Sequence, residues 1–150
     1  MKINIERKLN STINDELVNI TVESSKSNKE IDKLVNYIQT YKKEIVVKNY
    51  NELTKIPYID ILYFYCKDKE TYCKTSYNEF KIKSRLYEIE RFDKDFIRVS
   101  KHCVVNFNNA KCFDFGKIGQ IVIKFKNDDF VTVSRRRIKE VMEYLDERSI

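Results

Sequence analysis

Phe96-Ile-Arg-Val-Ser-Lys-His-Cys-Val-Val-Asn106 decides how the rest of this 150-residue chain is read. Its two arms, 96–100 and 103–107, are short runs rich in β-branched residues, and the polar Ser-Lys-His segment interrupts them. Two strands joined by a tight basic loop follow from that texture. Alternation along the first arm turns Arg98 to the same face as Phe96. Lys101 and His102 fall in the loop, and Cys103 opens the second arm as a small buried hydrophobe.

Outward from this hairpin the same texture recurs at 44–49, 52–57, 61–66, 71–76, 79–83, 110–115, 120–126 and 130–133. Lys126-Asn-Asp-Asp129 joins the last two runs, because Asn and Asp tolerate the left-handed backbone of a hairpin turn. Two helices interrupt the strands. Ser84 to Arg91 places Leu86, Ile89 and Tyr87 on one side, and Ser134 caps a helix over 135–146 with Ile138, Val141, Met142 and Leu145 inward. Closely spaced short strands predict a mainly β fold, a stack of small antiparallel sheets with two or three short helices, rather than a parallel α/β core.

Ahead of residue 44 the pattern differs. Ile3 and Ile5, then Val18, Ile20 and Val22, alternate with polar residues and predict two strands. Ser27 followed by Glu30 is a capping-box pattern, and Ile31, Leu34, Val35, Ile38 and Tyr41 recur at helical spacing. Residues 1–43 thus read as a β-β-α extension, too short for a receiver domain, and 44–150 as the main domain.

Composition narrows the function. Only two Gly and one Pro interrupt a chain that is 42% hydrophobic and 35% charged, which excludes low-complexity and collagen-like classes. No apolar run approaches the roughly 18 residues of a membrane span, and the N-terminus lacks the apolar stretch of a secretory signal. The expected location is cytoplasmic, with Cys66, Cys73, Cys103 and Cys112 as reduced thiols. Their spacing contains no C-x2-C or C-x4-C pair, and His102 and Cys103 are neighbours that point to opposite faces of a strand. Neither a metal site nor a Cys–His nucleophile is indicated, and no other signature points to an enzyme, a cofactor or a small-molecule substrate.

The net charge of +6 is concentrated. Within Arg98–Lys139 ten Lys or Arg residues face only Asp114, Asp128 and Asp129, an excess of seven. A solvated face explains many charge runs, yet a one-signed excess inside a folded domain is also the footprint of a polyanion binder.

Three strings, in order, resemble one family. Ile59-Asp-Ile-Leu-Tyr-Phe64 resembles the "dIxyie" strand entry of LytTR-type DNA-binding domains. Phe96 to Asn106 is similar to their "FxRixkSxivN" signature, and Phe130-Val-Thr-Val-Ser-Arg-Arg136 to their closing "xxvSrr". The resemblance spans roughly 44–147. It implies an elongated fold of three antiparallel sheets whose loops, rather than a recognition helix, enter the major groove of double-stranded DNA at promoter repeats. It also implies a stand-alone regulator restrained by a small membrane-protein inhibitor. For residues 1–43 three roles stay open: to cover an exposed sheet edge, to pair the chain as a homodimer on repeated half-sites, or to receive that inhibitor.

Carried over position by position, the resemblance makes Lys67, Lys69 and Thr71 candidates in the first contact loop, with Lys69 the better charge and Thr71 nearer the usual contact position. Lys101 is the second contact, and His102 stands where many members carry Ser. The third is the basic pair Arg135 and Arg136, of which Arg136 aligns with a base-reading Arg. Its guanidinium fork matches O6 and N7 of a guanine. Three consecutive cations at 135–137 oppose the positive end of a helix, a local conflict that favours a functional role. Of Arg135 and Arg137, one suits phosphate and the other solvent or the sheet. Arg98 is either paired with a carboxylate or in contact with phosphate. Asn106 reads as structural, its amide closing a turn.

The aromatics Tyr58, Tyr63, Phe64, Tyr65, Tyr72, Phe80, Phe92, Phe96, Phe113, Phe125 and Phe130 admit a second function, a single-stranded nucleic-acid-binding module with stacked bases. Their strand positions favour the core.

Overall fold

The computed structural model describes residues 19–26, 28–41, 43–49 and 51–150. The chain divides between Tyr41 and Lys42 into two units. In the first, α1 (Lys29–Thr40) is capped by Asn28, whose Oδ1 accepts from the N–H of Ile31 at 3.0 Å. Ser27, the cap expected from the sequence, lies outside the described residues, as do the expected strand at Ile3–Ile5 and Val18. Residues 19–24 form no strand, and Ile20 and Val22 are exposed. Alternation alone does not make a strand, because a strand also needs a partner for its backbone groups.

The second unit holds three antiparallel sheets. β1 (Glu44–Lys48) and β2 (Leu53–Pro57) form the first. The central sheet contains β3 (Ile61–Lys67), β4 (Glu70–Thr75), β5 (Glu79–Ile82), β6 (Phe96–Ser100) and β7 (Cys103–Asn106), in the order β5-β4-β3-β7-β6. The third runs β10 (Phe130–Thr132), β9 (Val122–Lys124), β8 (Cys112–Asp114). Two helices complete the unit, α2 (Leu86–Phe92) and α3 (Ile138–Asp146).

Both faces of the central sheet are covered, and that explains its sequence. Phe64, Cys73, Phe96 and Val104 meet Ile45, Val47 and Ile56 of the first sheet and Leu86 and Ile89 of α2 in one core. Leu62, Val99 and Val105 meet Ile123 and Val133 near the third sheet and Val141 of α3 in another. A strand buried on two faces needs no polar alternation, hence the run Ile-Leu-Tyr-Phe-Tyr-Cys at 61–66. Two expected core rings are exceptions: Phe92 and Phe130 are 61% and 68% exposed.

The end of β6 and β7 remote from the Ser100–Cys103 turn is closed by polar groups. Asn106, fully buried, donates from Nδ2 to the carbonyl of Ile61 at 3.1 Å and accepts the N–H of Asn108 at 3.2 Å. Tyr144 Oη donates to Asp95 at 2.8 Å, and Asn108 Nδ2 donates to Asp95 and to Tyr58 Oη, both at 3.0 Å. Tyr58 Oη and Lys43 donate to Asp93. Burial raises the Asp93 pKa, but Lys43 and the N–H of Asp95 outweigh it and hold the carboxyl below its ordinary value. A folded-state pKa below the unfolded value of about 3.9 adds stability that is present above that pH and lost as pH falls through the lower, folded value. Asp93→Asn is therefore expected to flatten the acid limb of a stability-versus-pH curve below about pH 4, an outcome read from denaturant midpoints.

Candidate nucleic-acid interface

Three basic turns come from separate parts of the second unit. The first joins β3 to β4 through two residues, Asp68 and Lys69, with φ of 51° and 66°. Positive φ at both central residues is the geometry of a two-residue hairpin, which ordinarily selects Asn-Gly or Asp-Gly. Lysine in the second place is a local compromise that holds an exposed ammonium at the tip.

The second turn, Lys101-His102, joins β6 to β7. Its register shifts between Arg98 and Ser100, so the backbone there cannot satisfy itself by ladder pairing alone. Arg98 fills the gap, donating from Nε to the carbonyl of Ser100 at 2.8 Å and from Nη2 to that of Lys101 at 2.7 Å. Its third nitrogen lies 3.6 Å from Glu90 of α2. Of the two roles open to Arg98, the carboxylate-paired one describes its surroundings.

In the third, Ser134 leads into a 3-10 turn, Arg135–Arg137, before α3 begins. Ser134 occupies the cap position, but its side chain makes no capping bond. Arg137 is held by Glu140 at 3.0 Å, whereas Arg135 and Arg136 are exposed.

Backbone hydrogen bonds tie the three turns together. The N–H of Cys66, at the end of β3, donates to the carbonyl of His102 at 2.8 Å, and the N–H of Ser134 donates to that of Val99 at 2.8 Å. Both neighbouring turns thus hang on the β6–β7 hairpin. Lys69, Thr71, Arg98, Lys101 and His102 line one cavity of about 840 Å³. Arg98, Lys101, Arg136 and Arg137 line a second of about 460 Å³. Arg98 and Lys101 belong to both, so the cavities adjoin. Lys67 and Arg135 line neither, and Thr71, at 8% exposure, forms floor rather than rim.

The surrounding acids are largely neutralised. Glu70 pairs with Lys81 at 3.0 Å and Glu90 with Arg98, and no ion pair engages Lys69, Lys101 or Arg136 among the described residues. Desolvation pushes the Cys103 thiol up to about 12 against the opposing pull of Arg98, so it stays protonated at neutral pH. No cluster of His, Cys, Asp or Glu suited to a metal ion occurs among the described residues, and none of their helices is long and apolar enough to cross a membrane. Sequence patterns missed Arg98's support of the turn because both its carbonyl acceptors and Glu90 depend on the folded register.

Known proteins match this arrangement at the level of sequence and of fold. Two uncharacterised HTH-type transcriptional regulators of Staphylococcus aureus are similar. The one from strain COL is 28% identical over 148 residues, 97% of this chain and 98% of its own length. The one from strain MW2 is 29% identical over 129 residues, 84% and 88% respectively. The solved LytTr DNA-binding domain of a methyl-accepting/DNA response regulator from Bacillus cereus shares the fold, with a TM-score of 0.62 and 24% identity over 69% of this chain and 97% of that one. The LytTr DNA-binding domain family matches residues 51–146, a span that holds every residue lining the two cavities. The chain belongs to the LytTR family of non-enzymatic DNA-binding domains.

Proposed function

We propose that this chain regulates transcription by reading double-stranded DNA in the major groove through Lys69, Lys101 and Arg136, at repeated promoter sites. The observation that carries the reading is the pair of adjoining cavities fixed by backbone bonds to one hairpin, with three cations unengaged by acids on their walls. Base edges are read by the fork of Arg136 and the ammonium of Lys101, while Lys67, Arg135 and the rim as a whole neutralise phosphates. Arg98 acts through the Lys101 turn, which it holds in place. Thr71 and His102 shape the floor and wall beside Lys69. A homodimer on adjacent repeats, and a small membrane-protein inhibitor acting through residues 1–43, complete the proposal. Selection of bound duplexes from a random pool tests it: recovery of a repeated motif supports the reading, and recovery of unrelated sequences rejects it.

The single-stranded reading has weaker support. Most of the rings that would stack bases are engaged with one another, as in Tyr58–Phe96 at 5.5 Å, Phe64–Phe96 at 5.3 Å and Tyr63–Phe125 at 5.3 Å.

Lys69→Gly separates stability from binding. Relief of the left-handed strain should leave the fold as stable or up to about 1 kcal/mol more so. Loss of one phosphate-neutralising cation should reduce the slope of log affinity against log salt by about 0.9. Thermal melts and salt titrations of the same preparation check both.

A further inference from the structure

Part of the lining of the larger cavity, beside that from Lys69 and Lys101, comes from a segment with no part in the three turns. It is the junction between β5 and α2, represented by Lys83, Arg85 and Tyr87. Arg85 occupies the N-cap position of α2. That position favours Ser, Thr, Asp or Asn, whose side-chain oxygen accepts a free helix N–H, and arginine has no acceptor to offer. The structure compensates from elsewhere: the carboxylate of Glu88 reaches back to the Arg85 N–H at 2.7 Å. A residue that local stability disfavours, placed on the wall of a cationic cavity, repeats the pattern of Lys69 in its left-handed turn. Tyr87 is 52% exposed beside it, although aromatic rings on a seven-residue helix would ordinarily serve the core.

We propose that the β5–α2 junction is a fourth contact with the duplex, in which Arg85 and the Tyr87 hydroxyl grip the sugar–phosphate backbone that flanks the bases read by the three turns. The inference rests on the proposed major-groove reading and extends it. Because Arg98 and Lys101 line both cavities, the cationic lining that includes Arg85 is continuous with the one that includes Arg136. Arginine and tyrosine both donate to phosphate oxygens, and such contacts fix register without carrying sequence information. Glu70, an acid that lines the same cavity, has its charge met by Lys81 and does not repel a phosphate there as a lone carboxylate would.

The test uses the full chain, a duplex recovered by selection, and three variants, Arg85→Asn, Tyr87→Phe and Lys101→Gln. Asparagine is a preferred N-cap, so Arg85→Asn should melt no lower than the parent chain and isolates the charge from folding. Its salt slope is expected to fall by about 0.9, with an affinity loss of roughly three- to tenfold at moderate salt and an unchanged selected motif. Tyr87→Phe should weaken binding with the slope intact, since it removes a neutral donor. A parental slope and affinity in Arg85→Asn, while Lys101→Gln loses both, overturns the fourth contact and leaves the three-turn reading standing. Parental behaviour in both variants overturns the two together, and an altered selected motif in Arg85→Asn overturns the assignment to backbone.

Discussion

Arg136→Ala is expected to lose about 1–3 kcal/mol on the duplex it prefers and far less on a random one, so the chain keeps general DNA affinity but relaxes at one guanine. The structure singles out this residue from its neighbours. Arg137 donates to both carboxylate oxygens of Glu140, at 3.0 and 3.2 Å, and Arg135 lines neither cavity. Arg136 alone combines exposure with a place on the wall shared with Lys101. Arg136→Lys should not restore the preference, because an ammonium lacks the planar fork that meets two acceptors on one base. Folding should be indifferent to both changes, since a cation just before α3 contributes nothing favourable to that helix. Titration of matched and random duplexes decides: equal losses on the two would remove the base-reading role.

Asn106→Ala should be the most damaging single polar change in the domain, at about 1–3 kcal/mol. The side chain is wholly enclosed and joins the end of β7 to the carbonyl of Ile61 and to the N–H of Asn108. Alanine removes the donor and the acceptor without admitting water, and the partners left behind bear the desolvation cost. For a domain of this size that corresponds to a fall in Tm of roughly 3–10 °C. The lesion lies at the end of β6–β7 away from the Lys101 turn, so DNA binding measured well below the transition should survive. A melt matching that of the parent chain would show that Asn109, which also donates to Ile61 at 2.6 Å, suffices alone.

The strand order was largely legible because each strand is short, apolar and bounded by polar residues. All ten expected strands of 44–133 form, within about two residues of their expected limits. Lys126–Asp129 behaves as its composition implies, with Asp128 at φ 68° and Asn127 Oδ1 accepting the N–H of Asp129. Helix starts were less legible. Asn28 rather than Ser27 is the cap seen on α1, Arg85 rather than Ser84 stands at the start of α2, and Ser134 precedes a 3-10 turn without capping it. A capping residue is chosen by backbone angles that composition constrains only loosely. The candidate site was legible as charge and as motif. Its assembly was not, because the bonds from Cys66 to His102 and from Ser134 to Val99 join residues more than thirty positions apart.

Those two bonds have a practical corollary. They run between peptide groups, so the separation of positions 69, 101 and 136 is set by the main chain and is independent of which side chains stand there. A library randomised at 101 and 136, with position 69 kept to residues that accept a positive φ, leaves both struts of the frame in place, and new operator preferences can be selected from it without selecting again for folding.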